Sequence, residues 1–110
     1  MDGMAYVLIA LIVTDYVSGV SRAVVECKLS SRIGGRGILK KVLILLIVGV
    51  AHLADMYLLK GSGVLRTVVI FFYISNEGLS LLENAAAIGL PVPDKLKVAL
   101  GLLKGQNDNE

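Results

Sequence analysis

Ionisable side chains stand inside stretches of this sequence that are otherwise almost entirely apolar. His52 and Asp55 are three residues apart, about one helical turn, so their side chains could share a metal ion or relay a proton. Two ligands are too few for a tetrahedral zinc site, and Cys27, the single cysteine, lies in a different segment. We therefore favour a hydrogen-bonded His52–Asp55 pair and predict neither a metal site nor a cofactor.

The residue patterns of common enzyme sites do not occur in the sequence. It contains no nucleophile–base pair and no pair of carboxylates at a catalytic spacing. The stretch GGRG at residues 34–37 is too short for a phosphate-binding loop and lacks the Lys-Ser/Thr that follows one. We predict that the chain is not an enzyme.

The composition indicates a membrane protein. Of the 110 residues, 55% are hydrophobic and 18% are charged, and the mean hydropathy is +0.76. A soluble domain of this length would have difficulty hiding so much apolar surface. Three apolar runs, at residues 4–20, 42–59 and 64–88, absorb most of it, and each is long enough to cross a hydrocarbon core of about 30 Å. We predict an all-α membrane protein with three transmembrane helices and a short C-terminal amphipathic helix.

Turn and end signals divide the chain into a transmembrane domain, residues 1–90, and a cytoplasmic segment, residues 91–110. The stretch KGSG at residues 60–63 predicts a tight turn between the second and third helices. Gly89, followed by Pro91 and Pro93, predicts the end of the third helix. Residues 94–104 predict a short amphipathic helix that could lie on the membrane surface or pack against a partner, and we expect a disordered tail after it.

The net charge of +2 hides a strongly basic connection between the first two runs. Residues 22–41 contain six cations and one anion, and the GGRG stretch within them is expected to break any helix. Because Lys and Arg are enriched in cytoplasmic loops, we predict the N-terminus outside and the C-terminus in the cytoplasm. No aromatic residue lies among these cations to stack on bases, which argues against nucleic acid and favours membrane lipids as partners. The six cations are Arg22, Lys28, Arg32, Arg36, Lys40 and Lys41.

The third run carries a polar stripe. At about 100° per residue, seven polar side chains of this run fall within an arc of about 120°: Arg66, Tyr73, Asn76, Glu77, Ser80, Glu83 and Asn84. Lipid cannot solvate such a face, so it must meet other polar helices or line water. Self-association into a homo-oligomer is the simplest solution, and a ring would turn the stripe into a lumen. The alternative is that the stripe only joins helices within a closed bundle. The predicted lumen or oligomer face consists of Tyr73, Asn76, Glu77, Ser80, Glu83 and Asn84.

Charges at membrane depth need partners. One charge at mid-membrane raises the free energy of membrane insertion by about 2.5–3.5 kcal/mol, whereas each strongly apolar residue lowers it by only about 0.3–0.6 kcal/mol. Asp15 therefore needs a partner or water, with Arg22 as a weak candidate. Asp55 and Arg66 stand at similar depths on either side of the predicted turn, so we expect them to pair within or between subunits.

Two stretches resemble the toxin-secretion/phage-lysis holin family. FYISNEGLSLLENAAAIGLPVPDKLKVALGLLKG, residues 72–105, is similar to the C-terminal signature of that family, and LSSRIGGRGILKK, residues 29–41, is similar to its basic connection. An aspartate late in each of the first two segments, Asp15 and Asp55, also fits the resemblance. The residues that match the signature are Asn76, Glu77, Ser80, Glu83, Asn84, Gly89, Pro91 and Pro93.

The resemblance implies a role that composition does not supply. Holins are small helical proteins of the bacterial inner membrane that oligomerise and, at a set time, open lesions through which a phage endolysin or a large toxin escapes. A homo-oligomer that acts with an endolysin or a secreted toxin is therefore expected. Two alternatives stay open. One is a small multidrug-type transporter, which would need four spans, and the other is a membrane adaptor whose amphipathic tail docks a partner.

Overall fold

Three long helices dominate the part of the chain that the computed structural model describes, residues 2–96 and 98. They are α1, Gly3–Val25, α2, Ser31–Tyr57, and α3, Val64–Ile88, and each is long and apolar enough to cross a membrane. No strand occurs among the described residues. The predicted all-α fold with three membrane-length helices is therefore confirmed. Residues 94–96 and 98 are also helical, but the rest of the helix predicted at 94–104 and the tail after it lie outside the described residues.

Polar side chains fix where α1 and α2 begin. The Asp2 carboxylate accepts a hydrogen bond from the Ala5 amide at 3.0 Å, and the Ser30 hydroxyl accepts one from the Ile33 amide at 3.2 Å. Each bond satisfies one of the amides that the first turn of a helix leaves without a partner. Only residues 26–30 separate the two helices.

The expectation that GGRG breaks a helix is wrong, because Gly34, Gly35 and Gly37 all lie inside α2. A glycine costs a helix interior roughly 1 kcal/mol, but two of these glycines admit the ring of Tyr16 from α1. A Cβ atom would lie 3.3 Å from the Tyr16 hydroxyl at Gly34 and 3.2 Å from the ring at Gly37. The Tyr16 hydroxyl also donates to the Gly34 carbonyl at 3.3 Å. The contact between α1 and α2 thus offsets a local preference against helix.

Glycines also define the start and the end of α3. Residues 58–63 connect α2 to α3, and Gly63 has a left-handed backbone with φ of 74°. α3 ends at Gly89, where φ is 106°, and the Leu90 amide donates to the Ala85 carbonyl at 3.0 Å. Glycine adopts this backbone without steric cost. The predicted KGSG turn and the predicted end of the third helix are confirmed.

The polarity of the packed interior is inverted relative to that of a soluble protein. α3 packs along α1 and less extensively along α2, whereas α1 and α2 touch little. The apolar core is small and centres on Leu8, Ile12 and Ile70. Most large apolar side chains point outward instead. The buried polar residues are Asp15, Asp55, Glu77 and Asn84. Apolar side chains outside and paired polar groups inside are what a lipid environment favours.

Candidate functional site

Side chains from all three helices meet in a buried ionic cluster, which consists of Asp15 of α1, Lys41 of α2, and Glu77 and Asn84 of α3. The Lys41 ammonium Nζ lies 2.6 Å from Asp15 Oδ2 and 2.7 and 2.9 Å from the two Glu77 carboxylate oxygens. Asp15 is only 5% exposed and Glu77 only 3%. One lysine therefore pairs with two carboxylates that water barely reaches, and it joins α2 to both other helices.

Asn84 connects the cluster to the C-terminal half of α1. Its Nδ2 donates to Asp15 Oδ1 at 3.2 Å and to the Ser18 hydroxyl at 3.0 Å. Its Oδ1 accepts from the Arg22 guanidinium at 3.4 Å. Arg22, expected as a weak partner of Asp15, is thus linked to it through Asn84. Arg22 also donates to Glu26 at 2.9 Å, which lowers the pKa of the Glu26 carboxyl.

The opposite charges in the cluster stabilise one another. With all three groups ionised, Asp15, Lys41 and Glu77 carry two negative charges and one positive charge. Taking each ion out of water costs several kcal/mol, which close opposite charges and further hydrogen bonds offset. The offset exists only while the three helices stay together, because each helix supplies a group that the others need. Separated helices would expose charges that only water or another subunit could stabilise.

A cavity of about 250 Å³ lies beside the cluster and is lined by all three helices. Asp15, Lys41, Ser80 and Asn84 contribute polar groups to its wall. A water molecule occupies about 30 Å³ in the liquid, so the cavity has room for several. Water in the cavity can therefore reach the Lys41 side chain, which is 20% exposed, but it barely reaches the two carboxylates.

Asp55 forms a second buried polar contact, as the cap of α3. Its carboxylate oxygens accept hydrogen bonds from the Leu65 and Arg66 amides at 3.0 and 2.6 Å, and the residue is 2% exposed. Gly63, which precedes α3, has no side chain that could do this. The amides and the dipole of a helix N-terminus both stabilise a carboxylate. Asp55 therefore ties the end of α2 to the start of α3.

Within one subunit the expected side-chain pair between Asp55 and Arg66 is not formed, because backbone amides of α3 occupy the Asp55 oxygens. A pair between subunits stays a prediction. The Arg66 guanidinium instead binds both carboxylate oxygens of Asp2, at the start of α1. This contact, together with the hydrogen bond from the Ala5 amide, lowers the pKa of Asp2 to about 2. The Asp2–Arg66 pair thus joins the first turns of α1 and α3.

His52 and Cys27 are both exposed. His52 lies with Asp2 and Arg66 on the wall of a cavity of about 480 Å³, which α1 and α2 form for the most part. The expected hydrogen bond between His52 and Asp55 is not formed within the described residues, because Asp55 binds the α3 amides. Across residues 2–96 and 98, no group of three His, Cys, Asp or Glu side chains could hold a metal ion.

The polar stripe of α3 divides between the inside and the outside of the bundle. Asn76 is exposed, although the residue after it is buried. The buried members are Glu77 and Asn84, and the half-buried ones are Arg66, Tyr73, Ser80 and Glu83. Within one subunit the stripe joins helices, as the closed-bundle alternative expects. That the same side chains face a lumen in an assembly stays a prediction.

Lys41 is the member of the cluster that sequence reasoning assigned to the membrane surface. Of the other basic residues in the connection, Lys28, Arg32, Arg36 and Lys40 are exposed, but Lys41 is half-buried. The signal that could have found it is its position directly before the second apolar run, close in depth to the two acidic residues. A long side chain from that position can reach inward.

The membrane-length helices, their apolar exterior and their ionic interior define a small multi-pass membrane protein. The chain belongs to the bacteriophage holin family, whose model matches residues 1–105. The resemblance that the sequence motifs carry is confirmed by this match.

The chain is similar to proteins from bacteria and from a phage. It is 35% identical over 103 residues to a probable holin of Bacillus phage phi105, and the match covers 94% of this chain and 76% of that protein. It is 46% identical over 99 residues to an uncharacterized 14.9 kDa protein in the nagH 3′ region of Clostridium perfringens, covering 90% of this chain and 75% of that protein. An uncharacterized protein of Halalkalibacterium halodurans is 43% identical over 104 residues, and the match covers 90% of this chain and 76% of that protein. No solved structure matches the chain.

Proposed function

We propose that this chain is a holin that oligomerises in the bacterial inner membrane and opens lesions through which an endolysin, or a large toxin, leaves the cytoplasm. Family membership and the similarity to a probable phage holin support this role. The structural observation that carries it is the buried ionic cluster. A protein that only anchors itself gains nothing from charges that cost about 2.5–3.5 kcal/mol each at mid-membrane.

Lesion opening follows from the chemistry of the cluster. In the closed subunit, Lys41 pairs with Glu77 and Asp15 accepts from Asn84, so both satisfy the most buried part of the α3 stripe. When the helices separate, these groups need water or the same groups on neighbouring copies, and a ring of copies supplies both. The face proposed to line the lumen or join the copies consists of Tyr73, Asn76, Glu77, Ser80, Glu83 and Asn84.

The charge distribution supports an orientation. The end of α1, the start of α2 and the connection between them carry Arg22, Lys28, Arg32, Arg36 and Lys40. We place this basic end at the cytoplasmic leaflet, where each Lys or Arg gains about 1 kcal/mol near anionic headgroups. The N-terminus then lies outside, and the chain after Gly89 lies in the cytoplasm.

The function is tested by expressing the chain in bacteria together with a muralytic enzyme that has no export signal. We expect abrupt lysis that requires both proteins, because the enzyme reaches the cell wall only through lesions. Continued growth of cells that hold the chain in their inner membrane would contradict the proposal.

Glu77→Leu tests the part that the cluster plays. The substitution removes one carboxylate that binds Lys41, so we expect a shifted lysis time or no lysis. Asp94→Leu is the matched control, since Asp94 is exposed and forms no ion pair within the described residues. Immunoblots of the membrane fraction verify that both variants accumulate equally. An unchanged lysis time for Glu77→Leu would remove Glu77 from the mechanism.

A further inference from the structure

One face of α3 that the subunit leaves at least partly exposed has the spacing of a helix-pairing surface. The spacing between successive residues of this face alternates between four and three positions, as it does between the core positions of paired helices. None of them is buried within the subunit, although three are half-buried at its edge: Val69, Leu79 and Glu83. We name this face the α3 outer seam, and it consists of Leu65, Val69, Phe72, Asn76, Leu79 and Glu83.

Asn76 is the polar residue at the centre of the seam. It is the middle residue of α3, about 18 Å from either end of the helix. Its side chain is exposed and forms no hydrogen bond within the described residues. The neighbouring exposed Ser75 differs, because its hydroxyl donates to the Phe71 carbonyl at 3.0 Å. A lipid chain offers an amide no partner, so Asn76 requires one from another helix.

We propose that the α3 outer seam is the surface by which two copies of this chain pair in the membrane, with their Asn76 amides hydrogen-bonded to each other. The inference deepens the proposed function and rests on the self-association it contains. An amide both donates and accepts, so two identical asparagines complement each other. Copies of one chain insert in the same orientation, so their α3 helices run parallel and place the two Asn76 residues at one depth.

The rest of the seam sets the extent and the register of this contact. Leu65, Val69 and Phe72 supply apolar packing before Asn76, and Leu79 supplies it on the next turn. A polar residue at a single core position fixes register, because a shifted pair would leave both amides without a partner. Glu83 opposes the pairing, since it would face the same carboxylate on the second copy. The contact is therefore tightest between Leu65 and Leu79.

Cross-linking of single cysteines tests the proposal in membranes. The background is Cys27→Ala in the full chain, and the reporters are Phe72→Cys and Phe71→Cys. Both phenylalanines are 57% exposed, so they are matched in accessibility. Phe72 lies about 40° from Asn76 around the helix and Phe71 about 140°. After oxidation with copper phenanthroline, we expect a disulfide-linked dimer from Phe72→Cys and little from Phe71→Cys.

The hydrogen bond is tested by changing Asn76 in the Phe72→Cys background. Interhelical hydrogen bonds in membranes contribute about 0.6–2 kcal/mol, so Asn76→Leu should weaken dimerisation by roughly 3- to 30-fold. Asn76→Ala should do the same, and Asn76→Gln, which keeps the amide, should retain most of the dimer. Glu83→Gln should raise the dimer fraction, because it removes the opposed carboxylates.

Several results would overturn the inference. They are equal dimer yields from the two cysteine reporters, an undiminished yield with Asn76→Leu and Asn76→Ala, and cross-linking to a product whose mass is not that of a dimer. Lysis with the muralytic enzyme is scored separately. Dimers through Phe72→Cys without lysis by the wild-type chain would reject the proposed function and keep the seam. Lysis with equal reporter yields would keep the function and reject the seam.

Discussion

Replacing Lys41 with methionine should strongly destabilise the closed subunit. Methionine keeps roughly the length of the side chain but removes the ammonium that lies 2.6 Å from Asp15 and 2.7 Å from Glu77. The two carboxylate side chains, 5% and 4% exposed, would then lack a cation where water barely reaches. Removing one partner of a buried ion pair costs about 3–5 kcal/mol. Because the Lys41 side chain is itself 20% exposed, we expect the free energy of unfolding to fall by an amount near the lower end of this range, about 3 kcal/mol.

The free energy of unfolding can be measured in detergent micelles by titrating a denaturing detergent and following the helix content. Lys40→Met is the matched control, because Lys40 is exposed and forms no ion pair within the described residues. Surface substitutions usually change stability by less than about 0.5 kcal/mol. A triple variant, Asp15→Asn with Lys41→Met and Glu77→Gln, removes all three charges. It should recover most of the loss, because no unpaired ion is left in the interior.

Two results would refute this reasoning. If Lys41→Met unfolds no more easily than Lys40→Met, the cluster does not hold the helices together. If the triple variant is as unstable as Lys41→Met, the loss comes from the packing of the lysine stem and not from unpaired charge.

Two further substitutions test the contacts between neighbouring helices, with unfolding in micelles as the readout. Asp55→Ala should cost about 1–2 kcal/mol, because it leaves the first-turn amides of α3 without their cap, whereas Asp55→Asn keeps an acceptor oxygen and should cost less. Gly37→Leu should cost about 1–3 kcal/mol, because its side chain would meet the Tyr16 ring. Gly35→Leu is its control, since a Cβ there has no atom within 4 Å. Equal losses of unfolding free energy from the two variants would show that contact with Tyr16 does not cause the destabilisation.

The sequence predicts the helices well because each depends on its own residues. Length and apolar content are sufficient for the three spans, and Gly89 with the prolines after it is sufficient for the end of α3. The start of α2 could not be predicted in the same way. Local preference argues against helix at three closely spaced glycines, and the compensating contact with Tyr16 belongs to another helix. Ser30 is a local signal for this start, but the helical state of the glycines after it depends on the packing of α1 against α2.

The partners of the charged residues were harder to predict than their presence at membrane depth. Asp15 and Glu77 stand at similar expected depths, and both lie in one cluster. Depth alone does not tell which long side chain reaches inward, so Lys41 could not be distinguished from Lys40 beside it. The same limit explains Arg66, which stands near Asp55 along the chain but binds elsewhere. These choices depend on how the helices rotate against each other.

The structure separates the side chains that hold one subunit closed from those that can meet another subunit. Glu77 faces the cluster, while Asn76, one residue before it and about 100° around the helix, faces outward. Under the two proposals, copies pair through Asn76 while every cluster stays intact, so association by itself opens no lesion. Opening requires the additional separation of Lys41 from Asp15 and Glu77, and neighbouring copies can replace those contacts only once enough of them are assembled. If the proposed function and the proposed seam both hold, adjacent residues on one helix assign assembly and opening to different faces, so the two steps are distinct.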